Sequence, residues 1–132
     1  SNSRSIYVED ASGAAGSDVP VVVKVNNYTN VANCQFVLTY NPSKLQLVTT
    51  SRGTGLPASS TFTPVPAAGM LTVTVSGSSK LVGRVLMLAT FRIKTPSPHG
   101  TINEILISSA SASDTSSSPL DVAKVPGFIT TN

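Results

Sequence analysis

Six carboxylates, one histidine and one cysteine are the side chains on which acid–base, nucleophilic or metal chemistry would most readily be built in this chain of 132 residues. The carboxylates are Glu9, Asp10, Asp18, Glu104, Asp114 and Asp121. Two carboxylates flanking a glycosidic bond can cleave it. Each of these six, however, falls at the end of a strand-like run or in a polar loop, where acidic residues are ordinarily solvated. His99 lies in the rigid loop Thr95-Pro96-Ser97-Pro98-His99-Gly100. A catalytic histidine would be buried beside a nucleophile, and no Gly-x-Ser-x-Gly elbow occurs. One cysteine and one histidine fall short of the four ligands of a structural zinc site. No alternating Asp/Asn run ending in Glu marks a calcium loop. The expectation is a chain with no catalytic residues, no cofactor and no metal site.

Cys34 has no second cysteine with which to form an internal disulfide. It falls on the apolar face of its strand with Phe36, Leu38 and Tyr40, which points to a small buried hydrophobe rather than a reactive thiol. Asn27-Tyr28-Thr29 fits a glycosylation sequon, of consequence only in a glycosylating host.

The elements that would position these groups follow from composition. Only 11% of residues are charged while 40% are hydrophobic, against about 25% charged in an average domain. Ser, Thr, Asn, Gly and Pro replace the missing charge, and these residues disfavour helix interiors while suiting turns and the solvent faces of strands. The net charge of +3 is spread without a basic cluster, which argues against nucleic acid as a partner. No apolar run reaches the roughly 18 residues of a membrane-spanning helix, so no membrane insertion is expected. The charge-poor surface suggests an extracellular or cell-surface setting. The chain is read as a piece of a longer secreted protein, its opening Ser1-Asn2 as a cloning remnant.

Short β-branched runs alternate with turn signals throughout. Strands are expected over Ser5–Val8, Pro20–Asn26, Asn33–Tyr40, Leu45–Thr50, Thr61–Val65, Leu71–Ser76, Arg84–Lys94 and Thr101–Ser108, with a last one built from Val122, Val125, Phe128 and Ile129. Thr61–Val65 is expected at an edge, broken by Pro64 and Pro66. Arg84–Lys94, apolar on both faces at its start, is expected to be central. Ser109 to Pro119 reads as an exposed polar loop. Nine strands bury their apolar faces only by packing as two sheets. The expected fold is therefore a single all-β domain over residues 1–132, a nine-stranded antiparallel two-sheet sandwich of jelly-roll-like form. Val21, Val23, Val25, Phe36, Leu38, Leu71, Val73, Phe91 and Ile93 should point inward.

Period-two alternation then turns Asn33, Gln35, Val37 and Thr39 outward on one strand, and Met70, Thr72, Thr74 and Ser76 on another. Neither set carries a charge. Charge depletion around apolar residues is the compositional mark of a protein-contact patch.

The segment Val31-Ala32-Asn33-Cys34-Gln35-Phe36-Val37-Leu38-Thr39-Tyr40-Asn41-Pro42-Ser43-Lys44-Leu45 resembles the third-strand signature of cohesin domains. Gly16 to Val25, Phe91-Arg92-Ile93-Lys94 and Gly127-Phe128-Ile129 extend the resemblance over most of the chain. It implies a cohesin-like sandwich that docks a small, calcium-loaded helical dockerin module through one flat sheet face, the calcium belonging to the partner. The binding residues so implied are Asn33, Gln35, Val37, Thr39, Thr72, Thr74, Ser76 and Gly77. Asn33 matches the family's contact asparagine. Gln35 stands where an acidic contact is usual, and Ser76-Gly77-Ser78 where many cohesins carry another. Either the dockerin is divergent or the scaffold serves another use, and a standard cellulosomal cohesin is not expected. Two other readings stay open, a structural or adhesion spacer and a carbohydrate-binding sandwich. The absence of Trp and the scatter of Tyr7, Tyr28 and Tyr40 speak against the second. Edge strands also leave weak self-association of two copies open.

Overall fold

The computed structural model describes residues 4–132 of the chain, and these form strands and turns without a helix. Ser1 and Asn2 lie outside the described residues. The strands are β1 (Arg4–Val8), β2 (Ala11–Gly13), β3 (Asp18–Val25), β4 (Asn33–Thr39), β5 (Leu45–Arg52), β6 (Thr61–Ala67), β7 (Met70–Ser76), β8 (Val85–Ile93), β9 (Ile102–Ser113), β10 (Pro119–Leu120), β11 (Val122–Val125) and β12 (Gly127–Thr131). One sheet runs β11-β1-β3-β8-β5. The other runs β2-β12-β9-β4-β7-β6, with β10 added beside β9.

The two-sheet sandwich agrees with the sequence, and all nine residues expected inside are buried. Their alternation explains why. In β3, Val19, Val21, Val23 and Val25 enter the core while Val22 and Lys24 stay half-exposed. In β4, Cys34, Phe36 and Leu38 do the same. Phe36, Leu38, Leu71 and Val73 from one sheet meet a core shared with Phe91, Ile93 and Val21 from the other. Central β8 lies between β3 and β5, as its apolar run predicted.

Four details depart from expectation. Among the described residues there are twelve strands rather than nine, because β2 and β10 add short pairings and the final run divides into β11 and β12. Pro126 separates those two, so that β11 joins one sheet and β12 the other. Pairing is antiparallel except at β1–β11 and β2–β12, which are parallel.

The third departure is β6, which is an edge strand as expected but is unbroken by its prolines. Its ladder to β7 continues from Thr61 to Ala67 through Pro64 and Pro66. The two prolines are two residues apart, so both missing N–H groups fall on the same side of the strand. The ladder's continuity places that side at the open edge.

The fourth is the segment read as a loop from Ser109 to Pro119, which is strand as far as Ser113. The pairing of β9 with β4 shifts register between Val37 and Leu38. Beyond that irregularity Ala110 and Ala112 turn inward, while Ser109, Ser111 and Ser113 share the outward face with Val37, Gln35 and Asn33. Only 114–118 remains as a turn. Asp114 organises it, its Oδ1 accepting from the amides of Ser116 and Ser118 at 2.9 Å each.

Candidate partner-binding face

Register across four adjacent strands assembles the outward face residue by residue. The first row is Ser111 of β9, Gln35 of β4, Thr74 of β7 and Thr63 of β6. The second is Ser109, Val37, Thr72 and Val65. The third is Leu106, Thr39, Met70 and Ala67. Strands stand about 4.8 Å apart and same-face residues about 7 Å apart along each strand. The three rows thus cover roughly 15 Å in each direction, enough to seat a helix about 10–12 Å across.

No row contains a charged side chain. The ion pairs Lys24–Glu9 at 3.0 Å and Arg92–Asp18 at 2.7 Å involve β3 and β8 of the opposite sheet. There the hydrogen bond from Arg92, reinforced by its charge, holds the Asp18 carboxyl below its usual range. Glu104 sits further along β9, opposite Phe128 of β12, at the margin of the three rows.

The face has a polarity gradient. Gln35, Thr74, Thr63 and Ser111 at one end are exposed hydroxyl or amide groups. Toward the other end, Val65 in the middle row and Met70 and Leu106 in the last are 56%, 41% and 42% exposed. A shallow hollow of about 340 Å³ marks the polar end, bordered by Asn33, Gln35, Thr74, Ser76, Ser111 and Ser117. A larger one, about 480 Å³, opens between β5 and the β6–β7 turn, with Tyr40, Leu47, Val48 and Pro66 among its lining. Lys94 on its rim donates to the Pro42 carbonyl at 2.6 Å. Its walls are mainly apolar and gather no set of convergent acid, base or ligand groups, so size alone does not make it the functional site.

Gln35, Val37, Thr39, Thr72, Thr74 and Ser76 thus come together on one surface. Asn33 and Gly77 differ from them. Asn33 is half-buried, and its Oδ1 accepts from the Gly77 amide at 2.9 Å. That bond extends the β4–β7 contact beyond the last ladder pair. Gly77 is half-buried too, and a Cβ there would come within 2.8 Å of Ser60 Oγ. Both residues fix the edge of the hollow more than they project from it.

Sequence reasoning missed the contributions of Ser109, Ser111 and Leu106 from β9 and of Thr63 and Val65 from β6. A signal existed in the strict Ser/Ala alternation from Ser109 to Ser113, although both are weak strand formers. The core-facing cysteine reads as expected. Cys34 is buried, and desolvation pushes its thiol up to about 12. His99 is exposed in its loop. Among the described residues, no three His, Cys, Asp or Glu side chains gather as a metal site would require.

The family described as "Cohesin domain" matches residues 5–130 of the chain. Among solved structures, the fold is similar to a non-cellulosomal cohesin from the hyperthermophilic archaeon Archaeoglobus fulgidus, at 21% identity and a TM-score of 0.87, covering 98% of this chain and 91% of that one. It is equally similar to the sixth cohesin of scaffoldin B from Acetivibrio cellulolyticus, solved in complex with a dockerin, at 22% identity and a TM-score of 0.87 over 98% and 99% of the two chains. A type I cohesin–dockerin complex from Clostridium thermocellum gives 14% identity and a TM-score of 0.86 over 99% and 100%. No curated protein matches the sequence.

Proposed function

The chain belongs to the cohesin domain family, and from that premise we propose that it is a non-catalytic binding module, one unit over residues 1–132, which docks a dockerin-type partner on the β9-β4-β7-β6 face. Docking there would tether its parent protein to a dockerin-bearing one, in an extracellular or cell-surface setting. Any calcium in the complex belongs to the partner. The proposed contacts are Gln35, Val37, Thr39, Thr72, Thr74 and Ser76, with Asn33 and Gly77 shaping the rim beside them.

The observation that carries the reading is the uncharged outward surface shared by four neighbouring strands. Ordinary solvated sheet faces carry Lys and Glu, whereas contact patches are depleted of charge at their centre. Binding on this surface removes Val37, Val65, Met70 and Leu106 from water, and each Å² of apolar surface so covered contributes about 25 cal/mol before the costs of association.

Titration of the domain with calcium-loaded dockerin modules tests the proposal. A 1:1 complex is expected, abolished when EDTA strips the dockerin. Gln35→Ala should weaken it by about 1–3 kcal/mol, because a partner group would be left buried without its hydrogen bond. Unchanged affinity in both Gln35→Ala and Val37→Asp would place docking elsewhere.

A further inference from the structure

We infer that the docking helix taken by this face is itself uncharged where it touches, aliphatic at one end and hydroxyl- or amide-bearing at the other. The inference rests on the docking reading above and specifies the partner's chemistry. Twelve outward positions in three rows present no carboxylate and no cation. A partner Lys or Arg pressed into such a surface would lose its hydration and gain no counter-charge, a cost that excludes it from the contact. Glu104, on β9, stands one same-face position beyond Leu106, at the margin of the rows and away from their centre.

The gradient along the strands orients the occupant. Leu106, Met70 and Val65 offer exposed apolar surface on three of the four strands toward one end. Gln35, Thr74, Thr63 and Ser111 occupy the other end, and their amide and hydroxyl groups both donate and accept hydrogen bonds. A helix lying along β4 and β7 would place Leu, Ile or Val over Met70 and Leu106. About nine of its residues span the three rows at 1.5 Å each, so that Ser, Thr, Asn, Gln or Ala would stand over Gln35 and Thr74. Complementarity here is of shape and neutral hydrogen bonding, and it should therefore be nearly indifferent to salt.

The test uses calcium-loaded dockerin modules of two kinds, those with Lys or Arg on their docking helix and those without. Each is titrated calorimetrically against the domain in about 0.05 M and about 0.5 M NaCl, a range over which exposed charge interactions are largely screened. We expect binding by the neutral kind, with an affinity that changes less than about twofold across that range. Gln35→Glu should weaken it about tenfold through desolvation of an uncompensated charge. Met70→Ser should weaken it as well, while Arg92→Gln on the opposite sheet should not. Thermal melts of each variant separate lost contact from lost fold. Preferential binding by the basic kind, with affinity that falls steeply in salt and rises in Gln35→Glu, overturns the inference and leaves the docking proposal standing. Binding by neither kind overturns both.

Discussion

Asn33 and Gln35 stand two residues apart on one strand and face the same way, yet they do different things. Gln35 is exposed and leaves its amide to a partner, whereas Asn33 uses its carbonyl to hold the Gly77 amide at 2.9 Å. Asn33→Ala should accordingly lower stability by about 0.5–1.5 kcal/mol in urea unfolding. Asn33→Asp keeps the acceptor and should restore most of that loss. Gln35→Ala should leave stability unchanged within about 0.5 kcal/mol. Equal destabilisation by Asn33→Ala and Gln35→Ala would contradict this division. Cys34 gives a second residue-scale prediction. Its thiol is raised from 9.0 to about 12 by burial, so the folded chain holds a proton that the unfolded chain releases first. Cys34's contribution is complete below pH 9 and falls as pH rises toward 12. At pH 8 the folded protein should resist thiol labelling, with modification following unfolding in denaturant; prompt labelling without denaturant would show the sulfur to be accessible. The sequence indicated both the burial of Cys34 and the exposure of Gln35, since period-two alternation settles them together. It could not reveal the Asn33–Gly77 bond, which joins residues 44 positions apart at the ends of two strands that are not consecutive in the chain.

At the scale of elements, β6 and β9 differ most from their sequence reading, and both do so because pairing overrode local propensity. The prolines of β6 suggested a break. An edge strand needs donors on one side only, and Pro64 and Pro66 both fall on the other. They also deny an incoming strand two donors, a known protection of sheet edges. The double variant Pro64→Val, Pro66→Val should therefore gain concentration-dependent self-association in sedimentation. A strictly monomeric variant would mean that the prolines do not guard this edge. The Ser/Ala run of β9 read as low complexity. The small inward residues Ala110 and Ala112 fit beside Phe36 and Cys34 on β4, where the register shift after Val37 admits them. The β6–β7 hairpin turns at Ala68-Gly69, with Gly69 at φ +70° and a Cβ there only 3.0 Å from the Tyr40 carbonyl oxygen. Gly69→Ala should cost about 1–2 kcal/mol on the strain of the left-handed conformation. It would also displace the end of the face formed by Met70.

Across the whole molecule, two sheets close over one core, and the Asn33–Thr39 strand serves both sides of its sheet. Cys34, Phe36 and Leu38 fill the interior while Gln35, Val37 and Thr39 form the outer surface. Stability and binding can therefore be separated by residue parity along a single strand. Phe36→Ala should lose about 3–5 kcal/mol in denaturant unfolding, whereas Val37→Asp should impair docking while leaving most of the stability intact. Phe91, packed edge-on against Tyr40 with ring centres 5.0 Å apart, should behave like Phe36. The layer architecture was legible because apolar alternation is strong in β3, β4, β7 and β8. The division of the final run between the sheets was not, since Pro126-Gly127 marks a break without saying where each half goes.

The central claim is that docking uses the outer surface of the β9-β4-β7-β6 sheet. Methyl-resolved NMR of the domain, with and without a calcium-loaded dockerin that binds it, tests this most directly. The account predicts large shifts at Val37, Val65, Met70 and Leu106, with little change at Leu88 and Val125 of the β11-β1-β3-β8-β5 sheet. Shifts centred on Leu88 and Val125, with Val37 and Met70 unmoved, would contradict it.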